Sequence, residues 1–172
     1  MTCPMARASK PTDLPGLEAL YPAAFPDEDL VALMRALTVE PDVLSLVLDQ
    51  SGEIIGHVVF TPCRIADSRA TLALLGPLAI HPHWQKQGLG GSLVREGLAR
   101  LRKQGMAGAL VLGDPGYYGR FGFVAEPDIA PPYPLPDEWA GAWQSLALGD
   151  EPLSEGQLKV PTVWDDPKLW AE

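Results

Sequence analysis

The sequence has 172 residues, 47% of them hydrophobic and 20% charged, and its 13 Lys and Arg against 22 Asp and Glu give a formal net charge of −9. This charge argues against a general role on nucleic acids or anionic membranes, which requires a basic surface. The two cysteines, Cys3 and Cys63, lack metal-binding spacing, and no signal-peptide pattern or apolar run of about 20 residues occurs, so we expect a metal-free, soluble, cytoplasmic protein.

The N-terminal quarter predicts one strand and two helices. Met5–Ala8 is a candidate strand, and a helix-start signal precedes Leu14–Tyr21. We expect Pro22 and Pro26 to break the chain there. A second helix is predicted over Asp27–Leu37, with three acidic residues in its first turn and an apolar stripe behind them.

Three β-rich segments follow at short intervals. Val43–Leu48 and Glu53–Thr61 are joined by a polar link that ends in Gly52, which predicts a hairpin. Thr71–Ile80 returns as a third strand, and such short links predict an antiparallel meander. His57 alternates with apolar neighbours, so its side chain can occupy either face.

The clearest helix begins at Leu89 and ends before Gly105, because its apolar residues keep a helical period and basic residues fill its last turns. Gly108–Gly113 is then a short strand, parallel to the strand before the helix because a helical crossover joins them. Asp114-Pro115 opens a short helix that ends at Gly122. The order predicts an α/β fold in the broad sense (α+β), a mixed sheet with helices on its faces.

From Glu126 onward the sequence becomes rich in Pro, Trp and acidic residues. We therefore divide the chain into a core of residues 1–125 and a C-terminal segment of residues 126–172 that packs on the same domain. Ala130–Pro136 reads as an extended linker. Strands are predicted at Trp143–Leu148 and Gln157–Val163, and a terminal turn at residues 167–170.

The junction Gln85–Ser92 leads from a strand through a Gly-rich turn into a helix. Unpaired backbone N–H groups and the positive helix end make such a junction an anion site. Basic residues outnumber acidic ones by five to one in Thr71–Gln104, which suits a small anionic ligand. A P-loop and a dinucleotide fingerprint are excluded, because neither GxxxxGK[ST] nor the third Gly of GxGxxG is present. A Gly-rich turn without a ligand remains the alternative.

Two motifs together resemble the GCN5-related N-acetyltransferase (GNAT) family. One is Gln85-x-x-Gly88-x-Gly90 after a strand, and the other is the run GDPGYYGRFGF from Gly113 to Phe123 after the next strand. The run is similar to that of small bacterial members, and the likeness covers at least His57–Val124. It implies a mostly antiparallel sheet with helices on both faces and one splayed parallel strand pair. It also implies transfer of an acetyl group from acetyl-coenzyme A to a primary amine of a small molecule or peptide, by direct attack.

The resemblance assigns coenzyme A to the junction, with its pyrophosphate over the backbone from Gln87 to Ser92 and its pantetheine arm along the preceding strand. One strand amide would polarise the thioester carbonyl. Lys86 and Arg120 are candidate partners of the other phosphates. The expected cofactor-binding residues are Leu78, Ala79, Ile80, Gln85, Lys86, Gln87, Gly88, Leu89, Gly90, Gly91, Ser92, Asp114, Tyr117 and Arg120.

Tyr118 stands at the position of the family tyrosine and is the expected general acid. The base is open, because Thr71–Ile80 contains no ionisable side chain where many relatives carry a Glu. His81 is one candidate; His57, Asp114, a water chain or an amine that arrives deprotonated are the others. The missing carboxylate also leaves open an acyl-coenzyme A-binding regulatory protein with little or no turnover.

Acidic residues near the link between the first two helices and in the C-terminal segment favour a cationic amine acceptor. Glu126, Tyr133 and Trp139 would line its pocket if that segment folds back over the site. Neither a nucleic acid nor a membrane is an expected partner. Both a monomer and a homodimer fit the sequence.

Overall fold

The structure of the protein is a computed structural model and describes residues 4–170. The chain separates into two compact units, each assembled from segments that are distant in sequence. Of the residues described, the first unit contains 4–60 together with Gly76–Gly97, and the second contains Thr61–Leu75 together with 98–170. No helix among residues 4–170 is long and apolar enough to cross a membrane.

Residues 4–170 form nine strands and four α-helices. The strands are β1 (Ala6–Ala8), β2 (Leu44–Gln50), β3 (Glu53–Ile65), β4 (Thr71–Ile80), β5 (Gly108–Leu112), β6 (Val124–Ala125), β7 (Ile129–Ala130), β8 (Trp143–Ala147) and β9 (Gly156–Lys159). The α-helices are α1 (Leu14–Ala24), α2 (Val31–Thr38), α3 (Leu89–Lys103) and α4 (Pro115–Tyr118).

In the first unit, β1, β2 and β3 pair antiparallel in that order. The predicted β2–β3 hairpin is confirmed: its turn places Ser51 and Gly52 in the left-handed region, at φ 54° and 91°. Two consecutive left-handed residues match the right-handed twist of the flanking strands. The Asp49 carboxylate accepts a hydrogen bond from the Gly52 N–H at 2.8 Å and supports the turn.

Helices cover both faces of this part of the sheet, as the resemblance implied. On one face, Val47 and Ala79 pack with Leu20 and Tyr21 of α1 in a buried cluster. On the other face α3 lies so close to β3 that a Cβ at Gly97 would overlap the ring of Phe60. The α3 glycine therefore sets the spacing of helix and strand.

In the second unit, the β4–β5 pair is parallel, as predicted from the helical crossover. Its register covers Leu72–Leu75 on β4 and Gly108–Val111 on β5, whereas β4 itself continues to Ile80. The last residues of β4 thus extend beyond the pairing with β5, and the parallel pair that the resemblance implied is confirmed. Next to β5 lies β8, antiparallel, and β8 in turn pairs with β6.

The C-terminal segment forms a large part of the core of the second unit. Its apolar side chains Ile129, Trp143, Leu158 and Trp170 are buried with residues of β3, β4 and β5. The indole N–H of Trp143 donates to the Ile129 carbonyl at 2.7 Å, so its burial leaves no polar group unpaired. The division at residue 125 stays a prediction.

Several predicted boundaries were wrong. Helix α1 continues through Pro22 to Ala24, because a proline in the last turn removes only one terminal hydrogen bond. Helix α2 begins at Val31, so the acidic residues precede it, and Asp29 accepts from the Val31 N–H at 3.3 Å. Strand β9 ends at Lys159, and a 3-10 turn over Asp137–Ala142 was not predicted.

Candidate active site

The link from β4 to α3 is held by two hydrogen bonds at the end of the strand. The His81 N–H donates to the Ile55 carbonyl at 2.8 Å, which fixes the strand end on β3. The Gln85 side-chain amide donates to the Ile80 carbonyl at 3.1 Å and so ties the start of the loop to the last residue of β4. Gln85, predicted as a cofactor contact, thus has a direct role in the shape of the loop.

The loop backbone alternates in handedness just before α3. Lys86 and Gly88 lie in the left-handed region, with φ of 63° and 79°. A lysine in this region carries a conformational cost, and such positions cluster at ligand-binding sites. Residues Gln85–Gly88 are all exposed, so the loop faces solvent.

Helix α3 begins directly after this loop. Its hydrogen-bond ladder includes the Ser92 N–H donating to the Gly88 carbonyl at 3.1 Å. An α-helix cannot satisfy its first N–H groups internally, and its dipole is positive at this end. The first turn of α3 and the preceding loop therefore combine N–H groups that the helix leaves unpaired with the positive helix end, and the binding of an anion there stays a prediction.

His81 is part of the turn before this loop. Its Nδ1 accepts a hydrogen bond from the His83 N–H at 3.2 Å, and the two imidazole rings meet edge to face at 5.0 Å. A neutral imidazole that accepts at Nδ1 carries its proton at Nε2. The turn contact therefore occupies the ring nitrogen that would act as a base.

Asp114 caps the short helix α4 in the second unit. Its Oδ1 accepts from the Gly116 N–H at 2.9 Å, and its carbonyl accepts from the Tyr118 N–H at 2.9 Å. This carboxylate is a preferred N-cap group. The geometry therefore assigns Asp114 to the support of the tyrosine helix.

The ring of Tyr118 is packed on several sides. It meets the rings of Tyr117 and Phe123 edge to face, with distances between ring centres of 5.0 Å and 5.9 Å. A Cβ added to Gly113 would lie 2.5 Å from its Cε2 atom, so the ring lies directly against the glycine backbone. Burial raises the pKa of Tyr118 above its ordinary value of 10.0, so the phenol, already protonated at neutral pH, holds its proton more tightly.

Arg120 is engaged locally. Its Nε donates to the Tyr117 carbonyl at 2.9 Å, and its guanidinium carbon lies 4.5 Å from the centre of the Tyr117 ring. This is a cation–π arrangement. Tyr117 and Arg120 thus form a pair on the surface of the second unit.

His57 is fully buried in the first unit, between hydroxyl groups. Tyr21 Oη lies 2.7 Å from its Nδ1, and Ser45 Oγ lies 2.8 Å from its Nε2. Both ring nitrogens are thus occupied, which favours the structural reading of this residue.

The predicted site residues fall into two groups. The first unit contains Leu78, Ala79, Ile80, His81 and the loop Gln85–Ser92, and the second contains Asp114, Tyr117, Tyr118 and Arg120. Sequence reasoning missed two residues that support Tyr118. Gly113 carried a signal, because a glycine at a strand end often marks a close approach. Gln144, whose amide donates to the Gly113 carbonyl at 3.0 Å, carried none.

Comparison with known proteins supports the same family. The model of the acetyltransferase (GNAT) family matches residues 14–123. The N-acetyltransferase YhbS of Escherichia coli K12 is 34% identical over 156 residues, which cover 87% of this chain and 90% of YhbS. A second protein of that strain, the N-acetyltransferase YjhQ, is 32% identical over 133 residues, 74% of each chain.

Solved structures agree over nearly the whole chain. The crystal structure of Escherichia coli YhbS in complex with coenzyme A matches with a TM-score of 0.85 and 29% identity, covering 96% of both chains. A GNAT family acetyltransferase from Brucella melitensis in complex with acetyl-coenzyme A matches with a TM-score of 0.74 and 32% identity, covering 96% of this chain and 100% of the other. With a family model that matches residues 14–123 and relatives above 30% identity over most of its length, this chain belongs to the acetyltransferase (GNAT) family.

Proposed function

We propose that the protein is an N-acetyltransferase that transfers the acetyl group of acetyl-coenzyme A to a primary amine of a small molecule or peptide. The observation that carries this proposal is the loop before α3, where left-handed Lys86 and Gly88 lead into the positive end of a helix. The complexes of the two similar proteins with coenzyme A and acetyl-coenzyme A support the same ligand class.

The residues around this loop fit the cofactor chemically. Backbone N–H groups from Gln87 to Ser92 would bind the pyrophosphate, and Gly88 lets the main chain approach closely. Lys86 adds an exposed positive charge. Main-chain groups of Leu78–Ile80, which lie beyond the β4–β5 pairing, would bind the pantetheine arm.

Acetyl-coenzyme A would supply the activated acetyl thioester. A backbone N–H near the end of β4 would stabilise the negative charge that develops on the carbonyl oxygen. Tyr118, whose phenol is protonated at neutral pH, would donate its proton to the departing sulfur. For the other residues expected at the cofactor, the local contacts favour supporting roles: Gln85 shapes the loop, Asp114 caps α4, and Arg120 packs on Tyr117.

The described geometry favours a mechanism without an enzymatic base. His81 accepts a backbone N–H in its turn, Asp114 caps a helix, and both nitrogens of His57 are hydrogen-bonded in the core. We therefore propose that the amine attacks in its neutral form, after it loses a proton to solvent. The N–H proton that it sheds as the amide forms also passes to solvent, and solvent returns a proton to Tyr118.

The acceptor proposed here is a cationic amine. The α1–α2 link carries Asp27, Glu28 and Asp29, all exposed, in a protein of net charge −9. Opposite charge raises the local concentration of such a substrate. Glu126, which the sequence suggested as a lining residue of the acceptor pocket, is not counted among these acidic residues. It accepts hydrogen bonds from the N–H groups of Asp128 and Ile129 and from Ser145 Oγ, and so supports the C-terminal segment.

The test has two steps. Calorimetry with acetyl-coenzyme A measures binding, and a free-thiol assay with a panel of cationic, neutral and anionic amines then measures turnover. We expect binding and amine-dependent thiol release that is fastest with cationic amines. Binding without amine-dependent release would instead support the regulatory reading, and a preference for neutral or anionic amines would overturn the acceptor proposal alone.

A further inference from the structure

Gly113, the residue that follows β5, lies under the ring of Tyr118. A Cβ built on Gly113 would be 2.5 Å from Cε2, 3.0 Å from Cδ2 and 3.5 Å from Cζ of this ring. Two of these distances are shorter than van der Waals contact allows. The contact is steric only, because Gly113 does not need a left-handed backbone that alanine would resist.

The ring of Tyr118 is also bounded on its other sides. Tyr117 and Phe123 meet it edge to face, and Phe121 lies at 6.3 Å between ring centres. A methyl group at residue 113 would therefore push the ring toward these aromatic neighbours. To reach ordinary contact the ring would have to move by about 1 Å, a displacement that can cost an enzyme two orders of magnitude in rate.

The backbone of Gly113 is itself fixed from the neighbouring strand. Its N–H donates to the Ala142 carbonyl at 2.9 Å, and its carbonyl accepts from the Gln144 side-chain amide at 3.0 Å. Gln144 is buried, and its amide also donates to the Ala142 carbonyl at 3.3 Å. Side-chain amides inside a core are retained where their hydrogen bonds are satisfied, as these are.

We propose that Gly113, held by Gln144, is a positioning residue that fixes the hydroxyl of Tyr118 for proton transfer. This inference rests on the proposed function, in which Tyr118 is the general acid. Gly113 itself touches neither substrate nor reacting atoms in this account. Its contribution is the absence of a side chain beneath the ring.

The test is Gly113→Ala, with Gly149→Ala as the matched control because a Cβ at Gly149 meets no atom within 4 Å. We expect Gly113→Ala to lower kcat about 10- to 100-fold and to leave the KM for acetyl-coenzyme A within about twofold of wild type, as binding is assigned to the loop. The control keeps wild-type kcat. In a Tyr118→Phe background, Gly113→Ala should have no further effect, because the group that it displaces is already absent.

A second readout does not depend on turnover. In protein labelled with ¹³C at the tyrosine Cζ, the four tyrosine signals are assigned with Tyr118→Phe. We expect Gly113→Ala to shift the Tyr118 signal and Gly149→Ala to leave it unchanged. An unmoved signal, or a wild-type kcat in Gly113→Ala while Tyr118→Phe is slow, would overturn the inference and leave the proposed function standing. Wild-type kcat in Tyr118→Phe would refute the acid role and the inference together.

Discussion

The hydroxyl of Tyr21 lies 2.7 Å from Nδ1 of His57 in the core of the first unit, and so links α1 to β3 through a buried hydrogen bond. The other ring nitrogen, Nε2, lies 2.8 Å from Ser45 Oγ, which is in turn bonded to Ser9 Oγ at 2.7 Å. A neutral imidazole satisfies both contacts, donating at one nitrogen and accepting at the other. This chain of four side chains connects four segments of the unit: α1, β2, β3 and the residue that follows β1.

The first prediction concerns pH. Burial lowers the pKa of His57 from 6.5 to about 3, against the smaller, opposite effect of the Asp13 charge. Between pH 6.5 and about pH 3, His57 therefore binds a proton in the unfolded state but not in the folded state, so the free energy of unfolding falls as the pH falls. The free energy of unfolding should be about 2 kcal/mol lower at pH 5 than at pH 8. Urea-induced unfolding at both pH values measures this difference in free energy.

His57→Gln is the matched variant for this measurement. The lowered pKa of Asp13, due mainly to its hydrogen bond with Arg7, acts in the same direction but below about pH 4, where carboxylates titrate. Between pH 8 and pH 5 the free energy of unfolding should therefore fall clearly less in the variant than in wild type. An equal fall in both proteins would contradict the assignment of the effect to His57.

A second prediction concerns Tyr21→Phe. It removes the hydroxyl and leaves Nδ1 of His57 without its buried partner, which costs about 1–3 kcal/mol of unfolding free energy. Tyr133→Phe is the control, because the Tyr133 hydroxyl donates to Asp165 at 2.5 Å in an exposed pair. We expect a change under about 0.5 kcal/mol there. An equal loss of unfolding free energy in the two variants would show that the buried Tyr21–His57 hydrogen bond stabilises the fold no more than the exposed pair does.

The strongest local patterns in the sequence predicted the fold well. Helix α3 keeps its apolar period from Leu89, and the left-handed Gly105 follows its end at φ 78°, so propensity and capping chemistry agree. The β2–β3 hairpin was equally readable from its turn residues. These features depend on residues that are neighbours in sequence, so they could be predicted from a single sequence.

Features that depend on distant residues could not be predicted in this way. Strand β8 lies between β5 and β6 in the sheet although it follows both in the chain, and no local pattern encodes that order. For the candidate site, the motifs indicated the loop and Tyr118, whose roles stay predictions. The contact of Gly113 with Tyr118, and the bond from Gln144 that supports it, arise only when β5, β8 and α4 meet in the folded chain.

A third prediction follows from the close contact of α3 with β3. Gly97→Ala should raise helix propensity by about 1 kcal/mol but lower overall stability by about 1–3 kcal/mol, because the new methyl group overlaps the ring of Phe60. Thermal melts measure the change. Phe60→Leu should make the same Gly97→Ala change much less costly. A stabilised Gly97→Ala single variant would contradict the tight contact.

A fourth prediction concerns the missing base. If the amine reacts in its neutral form without an enzymatic base, kcat/KM should rise with pH, with an inflection that follows the pKa of each amine tested. Two accepted amines whose pKa values differ by about two units provide the measurement. An inflection at one fixed pH for both amines would instead indicate a titrating group of the protein.

The central claim is that the loop before α3 binds the pyrophosphate of coenzyme A, and Gly90→Trp tests it most directly. The bulky side chain in the first turn of α3 should block the approach of the cofactor to the backbone N–H groups. Ala99→Trp adds the same bulk at an exposed position further along the helix. In calorimetry with acetyl-coenzyme A, we expect Gly90→Trp to weaken binding at least about 100-fold, a loss of some 2.7 kcal/mol, and Ala99→Trp to bind like wild type. Wild-type affinity in a folded Gly90→Trp protein would contradict the claim.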